Sequence, residues 1–332
     1  MQNLSYAKTF LFLFLRLNLY ILHSLCFYFN KSLRIIHYYK NLTVSSLQVL
    51  PALESVCPGL PIPICYHSSH KETAESVLVL EDLGGKGFKI EALTRGLTLM
   101  QATAALRALA KVHAASLLYQ TKENINMRQK FPYLLSPEQA LASFQSLVNR
   151  GLPLLVKFLE NKIEHKAIRD QLQEYQSEEK VTSVIEKAFE QSPKLNTLVH
   201  CDFWVNNLLF GGSDFQTSCC IIDWQLVTYG RPAIDLSLLL TTSLNPNVRR
   251  ASKKTLLMTY WTEFKSHLNE AGYDVDELVQ GYDMLELEED LKSAEAMAAL
   301  VMVGSVDLAL GVPEREERVL TILKDYFENG VL

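Results

Sequence analysis

The chain has 332 residues, of which 48% are hydrophobic and 21% are charged, so it can bury a substantial core as one large domain or two ordinary ones. Its formal net charge of −5 gives it no basic surface of the kind that binds nucleic acid, which excludes a nucleic-acid partner. None of its six cysteines forms a C-x-x-C pair. This argues against a structural zinc site and favours a reducing compartment, so we expect a cytoplasmic protein.

The N-terminal 48 residues differ from the rest of the chain. They are basic and apolar, and the first acidic residue is Glu54. Residues 10–29 form an apolar run of about the length that crosses a membrane. Arg16 and Asn18 lie inside this run, where polar and charged groups are costly. A membrane anchor is therefore the alternative to a cytoplasmic location. Two further interpretations are a buried segment and a stretch that is not part of the working protein.

The next elements follow in chain order. Residues 51–65 carry four of the eleven prolines and predict a connector. The stretch "SVLVLEDLGGKG" predicts a buried strand followed by a glycine-rich turn. Apolar residues at helical spacing predict a helix over 98–119. The same periodicity predicts further helices at about 137–149, 152–174 and 178–190.

The pattern then changes from helical to extended. "TLVH", "NLLF" and "CCIID" predict three short strands, with the turn "GGSDFQTS" joining the last two into a hairpin. Helices resume near 232–243, 247–271, 283–303 and 313–328. Strands followed by a mostly helical C-terminal body predict the α+β class.

The hairpin carries the residues that indicate chemistry. His200, Asp202 and Asn207 lie in or beside the loop before one arm, and Asp223 ends the other arm. Because antiparallel arms meet at the same end, two carboxylates and an amide are expected to converge. Mg²⁺ prefers such oxygen donors together with phosphate oxygens and water. The spacing H-x-D-x-x-x-x-N followed by a strand-end Asp is that of the catalytic loop of kinases, with Asp202 in the position of the base.

Each residue also has a simpler interpretation. Asp202 and Asn207 taken singly are typical turn residues, and Asp223 could open a turn. His200 is a candidate catalytic residue together with Asp202, although in this loop it is better suited to bracing the backbone by hydrogen bonding. A metal hydrolase using His200, Asp202 and Asp223 is disfavoured, because no second histidine stands nearby.

Two residues outside the hairpin are interpreted as structural. Asp235 is expected to tie the catalytic loop to the following helix. His113 lies on the apolar stripe of its helix and is expected to be a core histidine.

Five stretches together resemble the ecdysteroid-kinase-like (CHK kinase-like) family: "VLPALE", "VLVLEDLGGKGFK", "LAKVHAASL", "LVHCDFWVNNLLF" and "CCIIDWQLVTYGRPAIDLSLLL". The resemblance implies a protein-kinase-like fold, shared with choline kinases and aminoglycoside phosphotransferases. It implies an ATP- and Mg²⁺-dependent kinase that acts on a hydroxyl of a steroid or another lipophilic alcohol. Asp202 would be the base, Asn207 and Asp223 the metal ligands and Asp235 the loop brace.

The hinge that meets adenine would be the backbone of Glu81, Asp82 and Leu83. One departure from the family pattern lies in the catalytic loop itself, where Cys201 replaces the usual glycine.

A larger departure lies upstream. Residues 1–83 contain one glycine, Gly59, and no lysine in a V-A-I-K-like strand. The phosphate loop and the strand lysine that such kinases use are therefore missing. We expect an atypical or truncated N-terminal lobe, with residues 1–48 as an unrelated segment, 49–83 as its remnant with the hinge, and 84–332 as the helical C-terminal lobe with the hairpin catalytic loop.

Two functional hypotheses follow. One is a phosphotransferase impaired by these losses. The other is a catalytically degenerate protein that binds a lipophilic small molecule.

Overall fold

The computed structural model describes residues 42, 45–69, 77–212 and 216–332. The apolar run at 10–29 lies outside the described residues. In the part that is described, no helix is both long enough and apolar enough to span a membrane.

The architecture is α+β, as the sequence predicts, with helices making up most of the described chain. A π-helical turn, Ser45–Val49, leads into the first helix. The helices in chain order are α1 Leu50–Val56, α2 Leu99–Glu123, α3 Met127–Lys130, α4 Pro137–Leu159, α5 Lys166–Glu174, α6 Glu178–Phe189, α7 Ala233–Thr242, α8 Pro246–Glu270, α9 Val275–Leu278, α10 Met284–Gly304 and α11 Pro313–Glu328.

In the part of the chain that the structure describes, seven short strands form three small sheets. They are β1 Cys65–Ser69, β2 Val77–Leu80, β3 Lys89–Ile90, β4 Thr197–Val199, β5 Leu208–Gly211, β6 Ser218–Ile221 and β7 Thr228–Gly230. The antiparallel pair β1–β2 stands by itself, β3 adds to the β5–β6 hairpin, and β4 pairs with β7. The predicted hairpin is confirmed, with Leu208 opposite Ile221 at its inner end. All of these pairings are antiparallel.

Two apolar clusters make up most of the core. One is built around α2, α8 and the hairpin, and the other around α4, α6, α10 and α11. The chain between β4 and β5 passes between them, because Phe203 and Val205 pack into the first cluster while Val199 and Cys201 pack into the second. This loop is therefore held from both sides by buried side chains.

The predicted break between 149 and 152 is wrong, because α4 runs without interruption through Gly151 and Pro153. Gly151 is required for packing: a Cβ placed there would lie 2.3 Å from the carbonyl oxygen of Val303 in α10. The continuous helix predicted over 152–174 is also wrong. It ends at Leu159, and the chain continues through a separate turn in which Ile163 is 88% exposed.

The connector predicted over 51–65 is helical in its first half. Pro51 occupies the first turn of α1, where its missing N–H costs no hydrogen bond, and Leu53 is fully buried. The Glu54 carboxylate then accepts hydrogen bonds from the backbone N–H groups of Gly59 and Leu60 at 2.7 and 2.9 Å. These bonds fix the entry of the chain into β1.

Candidate active site

The loop between β4 and β5 is held by one buried carboxylate. Asp235, in the first turn of α7, accepts the backbone N–H of His200 at 2.6 Å and that of Cys201 at 2.8 Å. Cys201 adopts φ +66°, a left-handed conformation that side-chain-bearing residues rarely take. The two hydrogen bonds and the packing of the buried thiol hold this strained conformation in place. The role of Asp235 as a brace of the catalytic loop stays a prediction.

Asp202 and Asn207 are in direct contact. The side-chain nitrogen Nδ2 of Asn207 donates to the carboxylate oxygen Oδ2 and to the backbone oxygen of Asp202, both at 2.8 Å. Asp202 is half-buried. Burial raises the pKa of its carboxyl group, while the neighbouring His200 and the Asn207 hydrogen bond oppose that rise. Because Nδ2 is committed to Asp202, the side-chain oxygen is the atom of Asn207 that can bind a cation.

Asp223 lies at the same end of the hairpin. The Leu208–Ile221 register and a 3.0 Å hydrogen bond from the Ile222 N–H to the Asn207 carbonyl oxygen place it next to the loop. Its φ of +66° turns the chain sharply out of β6. Burial raises the pKa of Asp223 to about 7, and the negative charge of Asp202 adds to that rise. The two carboxylates are therefore close enough to destabilise one another.

Two mutually repelling carboxylates and an amide oxygen form a donor set that suits Mg²⁺. A divalent cation offsets both negative charges, and hard oxygen ligands are the ones it prefers. Over the described residues, no cluster of three or more His, Cys, Asp or Glu side chains could hold a metal ion. Two carboxylates and an amide leave coordination positions of such a cation that phosphate oxygens and water can fill.

His200 is fully buried, and both of its ring nitrogens are used by the backbone. Its Nδ1 accepts from the Asp202 N–H at 3.2 Å, and its Nε2 contacts the Ile222 carbonyl oxygen at 2.9 Å. Its ring packs edge-on against Trp224 with the ring centroids 4.7 Å apart. In this conformation His200 joins the two arms of the hairpin, and neither nitrogen is available to a metal or a substrate. This geometry disfavours the metal-hydrolase alternative.

The predicted hinge packs on the hairpin. The Glu81 N–H donates to the Ile64 carbonyl oxygen at 2.8 Å, and its carboxylate forms an ion pair with Lys86. The Asp82 carboxylate accepts the Gly85 N–H at 3.2 Å. The Leu83 side chain lies in a small apolar cluster on the hairpin whose other members are Leu209, Cys220 and Ile222, with Phe88 at its edge. The predicted hinge thus lies against the hairpin. The side chains of Glu81 and Asp82 bond to residues of their own segment.

Two helices, α2 and α8, contribute further buried side chains next to Asp235. His113 of α2 contacts the Asp235 carboxylate, and Tyr260 of α8 contacts the other side of the same imidazole. The sequence interpretation of His113 as a buried histidine agrees with its burial but omits both partners. Tyr260 was missed altogether. It lies 147 positions from His113 and carries no local signal.

Comparison with known proteins gives a family match. The model of the ecdysteroid kinase-like family matches residues 37–273. A Caenorhabditis elegans protein named uncharacterized oxidoreductase dhs-27 is 26% identical over 233 residues, which cover 67% of this chain and 26% of the relative. The uncharacterized kinase-like protein D1044.1 of the same organism is 24% identical over 274 residues, covering 80% of this chain and 69% of the relative. The chain thus aligns with about a quarter of the length of the first relative.

Two solved structures of small-molecule kinases are among those that resemble this chain. The Plasmodium vivax ethanolamine kinase Pv091845 has a TM-score of 0.43 at 11% identity, with 86% of this chain and 74% of that chain covered. A microcompartment-associated aminopropanol kinase has a TM-score of 0.45 at 15% identity, with coverage of 88% and 83%.

Proposed function

This chain belongs to the ecdysteroid kinase-like family, and on that premise we propose that it transfers the terminal phosphate of ATP, with Mg²⁺, to a hydroxyl of a small apolar molecule such as a steroid alcohol. The observation that carries the proposal is the meeting of Asp202, Asn207 and Asp223 at one end of the β5–β6 hairpin. Phosphoryl transfer depends mainly on positioning and on neutralising phosphate charge, and these three side chains suit both tasks.

Asp202 is the proposed base. Its carboxylate is held by the amide of Asn207, and its raised pKa makes it a stronger proton acceptor than an ordinary aspartate. Because Asp202 is only half-buried, an incoming hydroxyl can reach it. The acceptor hydroxyl would give its proton to Asp202 as the oxygen attacks the phosphate.

Asn207 and Asp223 are the proposed ligands of Mg²⁺, which when bound would neutralise the phosphate oxygens. The Gln225 side-chain nitrogen donates to Oδ2 of Asp223 at 3.2 Å. This contact restricts the rotation of the Asp223 carboxylate.

The backbone of Glu81, Asp82 and Leu83 is the proposed adenine site. The Leu83 carbonyl oxygen already accepts the N–H groups of Lys86 and Phe88, and the Glu81 N–H is bonded to Ile64. Among the described residues, no partner is found for the carbonyl oxygen of Glu81 or the N–H of Leu83. One acceptor and one donor two residues apart can pair with the edge of an adenine ring.

An apolar acceptor is supported by the segment that flanks the loop. Strand β3 contacts the turn Val205–Asn207 and pairs with β5. Further along this segment, Leu97 bridges to Leu244. Ile90, Leu99 and Met100 on this segment are 43 to 52% exposed. Apolar side chains left exposed beside a catalytic loop suit a lipophilic substrate.

The test is binding and transfer with the purified protein. At a hundredfold excess over its Kd, Mg-ATP should add about 2.7 kcal/mol to stability, and the effect should disappear with EDTA. Transfer of labelled phosphate is then measured to a steroid alcohol, with ethanolamine and aminopropanol as polar controls. We expect the labelled phosphate to be transferred to the steroid and not to ethanolamine or aminopropanol. A thermal shift with the steroid but none with Mg-ATP would instead identify a lipophile-binding protein that has lost transfer.

A further inference from the structure

A buried chain of polar contacts runs beneath the catalytic loop through three helices. It begins at Tyr260 of α8, whose hydroxyl lies 2.8 Å from Nδ1 of His113. The other ring nitrogen, Nε2, lies 3.2 Å from Oδ2 of Asp235. The same oxygen accepts the His200 N–H, and its partner Oδ1 accepts the Cys201 N–H. His113 and Asp235 have no exposed surface, and Tyr260 is 1% exposed.

The direction of each hydrogen bond follows from the donors available. A carboxylate that accepts two backbone N–H groups can only accept from His113 as well, so the hydrogen of the imidazole is on Nε2. Nδ1 is then an acceptor, and the Tyr260 hydroxyl is its donor. Burial, together with the Asp235 charge, raises the pKa of Tyr260 well above its usual value, which keeps the phenol protonated as a donor. One tautomer of His113 is therefore selected.

We propose that His113 is a positioning residue of the catalytic loop, which it serves by fixing the carboxylate of Asp235, while Tyr260 donates to its other ring nitrogen. Asp235 holds the two residues that precede Asp202, including the strained Cys201. A carboxylate with a third donor is less free to rotate, so the two loop N–H groups and the base after them keep one geometry. This role goes beyond packing and deepens the proposed function on which it rests.

The test compares four variants. His113→Phe keeps a buried ring but removes both nitrogens. His113→Gln keeps an N–H donor at about the reach of Nε2. Tyr260→Phe removes only the hydroxyl. Tyr326→Phe is the matched control, because it also removes one buried hydroxyl, bonded to Thr241 at 2.5 Å, outside the chain of contacts to the loop.

Two readouts are measured in each variant: hydrogen exchange of the His200 and Cys201 amides, and kcat and KM for Mg-ATP. In His113→Phe we expect the loop amides to exchange about tenfold faster, as for the loss of one ordinary hydrogen bond. We expect kcat to fall by about tenfold to a hundredfold, the cost of a small misplacement, with KM for Mg-ATP within about twofold of wild type. His113→Gln should recover most of both quantities, Tyr260→Phe should be intermediate, and Tyr326→Phe should match wild type.

If loop exchange and kcat in His113→Phe and Tyr260→Phe equal those of Tyr326→Phe, the inference is overturned and His113 is a core histidine. If His113→Phe does not fold, Tyr260→Phe and His113→Gln decide the matter, since unchanged loop exchange in Tyr260→Phe overturns the proposal and faster exchange supports it. A wild-type protein without phosphate transfer would refute the proposed function, whereas the exchange measurements would still test His113.

Discussion

The proposed catalytic loop and the proposed hinge segment differ in how many contacts hold them to the rest of the molecule. In the loop, His200 is fully buried, Asn207 is 3% exposed, and Asp235 binds two successive backbone N–H groups. In the segment that leads to the hinge, Ile64 is 55% exposed and Tyr66 is 65% exposed. The pair β1–β2 makes no strand pairing beyond itself among the described strands. The contacts of the hinge segment with the hairpin include the small apolar cluster around Leu83 and a hydrogen bond from the Ile221 N–H to the Pro61 carbonyl oxygen.

This difference separates two parts of the proposed chemistry. The groups that would take the proton and hold the cation are fixed by several independent contacts, so single changes there should alter activity more than folding. The groups that would hold the nucleotide depend on few contacts, so ATP affinity should be the weaker property of the protein. The predictions below test each part in turn.

The largest effect is expected at the base. Asp202→Asn removes the proton acceptor while keeping the shape and the contact with Asn207, so transfer should fall by about a hundred- to ten-thousand-fold. The thermal shift with Mg-ATP should remain close to that of wild type. Asp290→Asn is the matched control, because Asp290 is another half-buried acid whose pKa is raised by burial, and it lies away from the loop against Tyr282 and Arg231. Equal transfer in Asp202→Asn and the control would remove Asp202 from the mechanism.

The next effect is expected at the cation. Asp223→Asn should abolish the Mg²⁺-dependent part of the ATP thermal shift, because it removes the second carboxylate of the donor set. Without Mg²⁺ the variant should be at least as stable as wild type, since one of two repelling charges has gone. The measurement is thermal unfolding at pH 8 with and without Mg²⁺ and ATP. A variant that keeps the Mg²⁺-dependent shift would place the cation elsewhere.

The features that the sequence could predict are those that depend on local signals. The convergence of Asn207 and Asp223 follows from antiparallel pairing across a short turn, a local rule that needs no knowledge of the rest of the fold. The helices after the hairpin were predicted to within a few residues, because their periodicity and their Pro246 and Pro313 starts are local signals.

The features that could not be predicted depend on distant contacts. The pattern predicted a break between 149 and 152, but α4 is continuous there and α10 approaches it closely at Gly151. The helix predicted over 152–174 is interrupted by a turn in which Ile163 lies on the surface. The contacts of His113 join residues 122 and 147 positions apart, and no periodicity encodes such pairs.

A smaller effect is expected from the loop backbone. Cys201→Val places a β-branched side chain at φ +66° in a packed position, and should lower the free energy of unfolding by about 2 to 3 kcal/mol. Cys201→Gly relieves the strain, but it loses the buried thiol and increases the conformational entropy of the unfolded chain. These effects oppose one another, so the free energy of unfolding should lie within about 1 kcal/mol of wild type. Urea unfolding measures both. Cys219→Val, on the extended backbone of β6, is the control and should be tolerated. If both valine variants lost the same stability, strain in the loop would not be the cause.

The last effect is expected at the contact between the proposed hinge and the hairpin, and it is seen only at alkaline pH. Burial raises the pKa of the Cys220 thiol from 9.0 to about 12. The unfolded chain therefore loses this proton first, so the stability that Cys220 contributes is complete below pH 9 and is lost as pH rises from 9 to about 12. The slope from this group is at most about 1.4 kcal/mol per pH unit. Cys220→Ala should flatten the fall in the free energy of unfolding over that range, and Cys57→Ala, which changes a half-buried thiol at the end of α1, should flatten it less. If the two variants gave the same pH profile, the thiol of Cys220 would affect the alkaline stability no more than the half-buried thiol of Cys57.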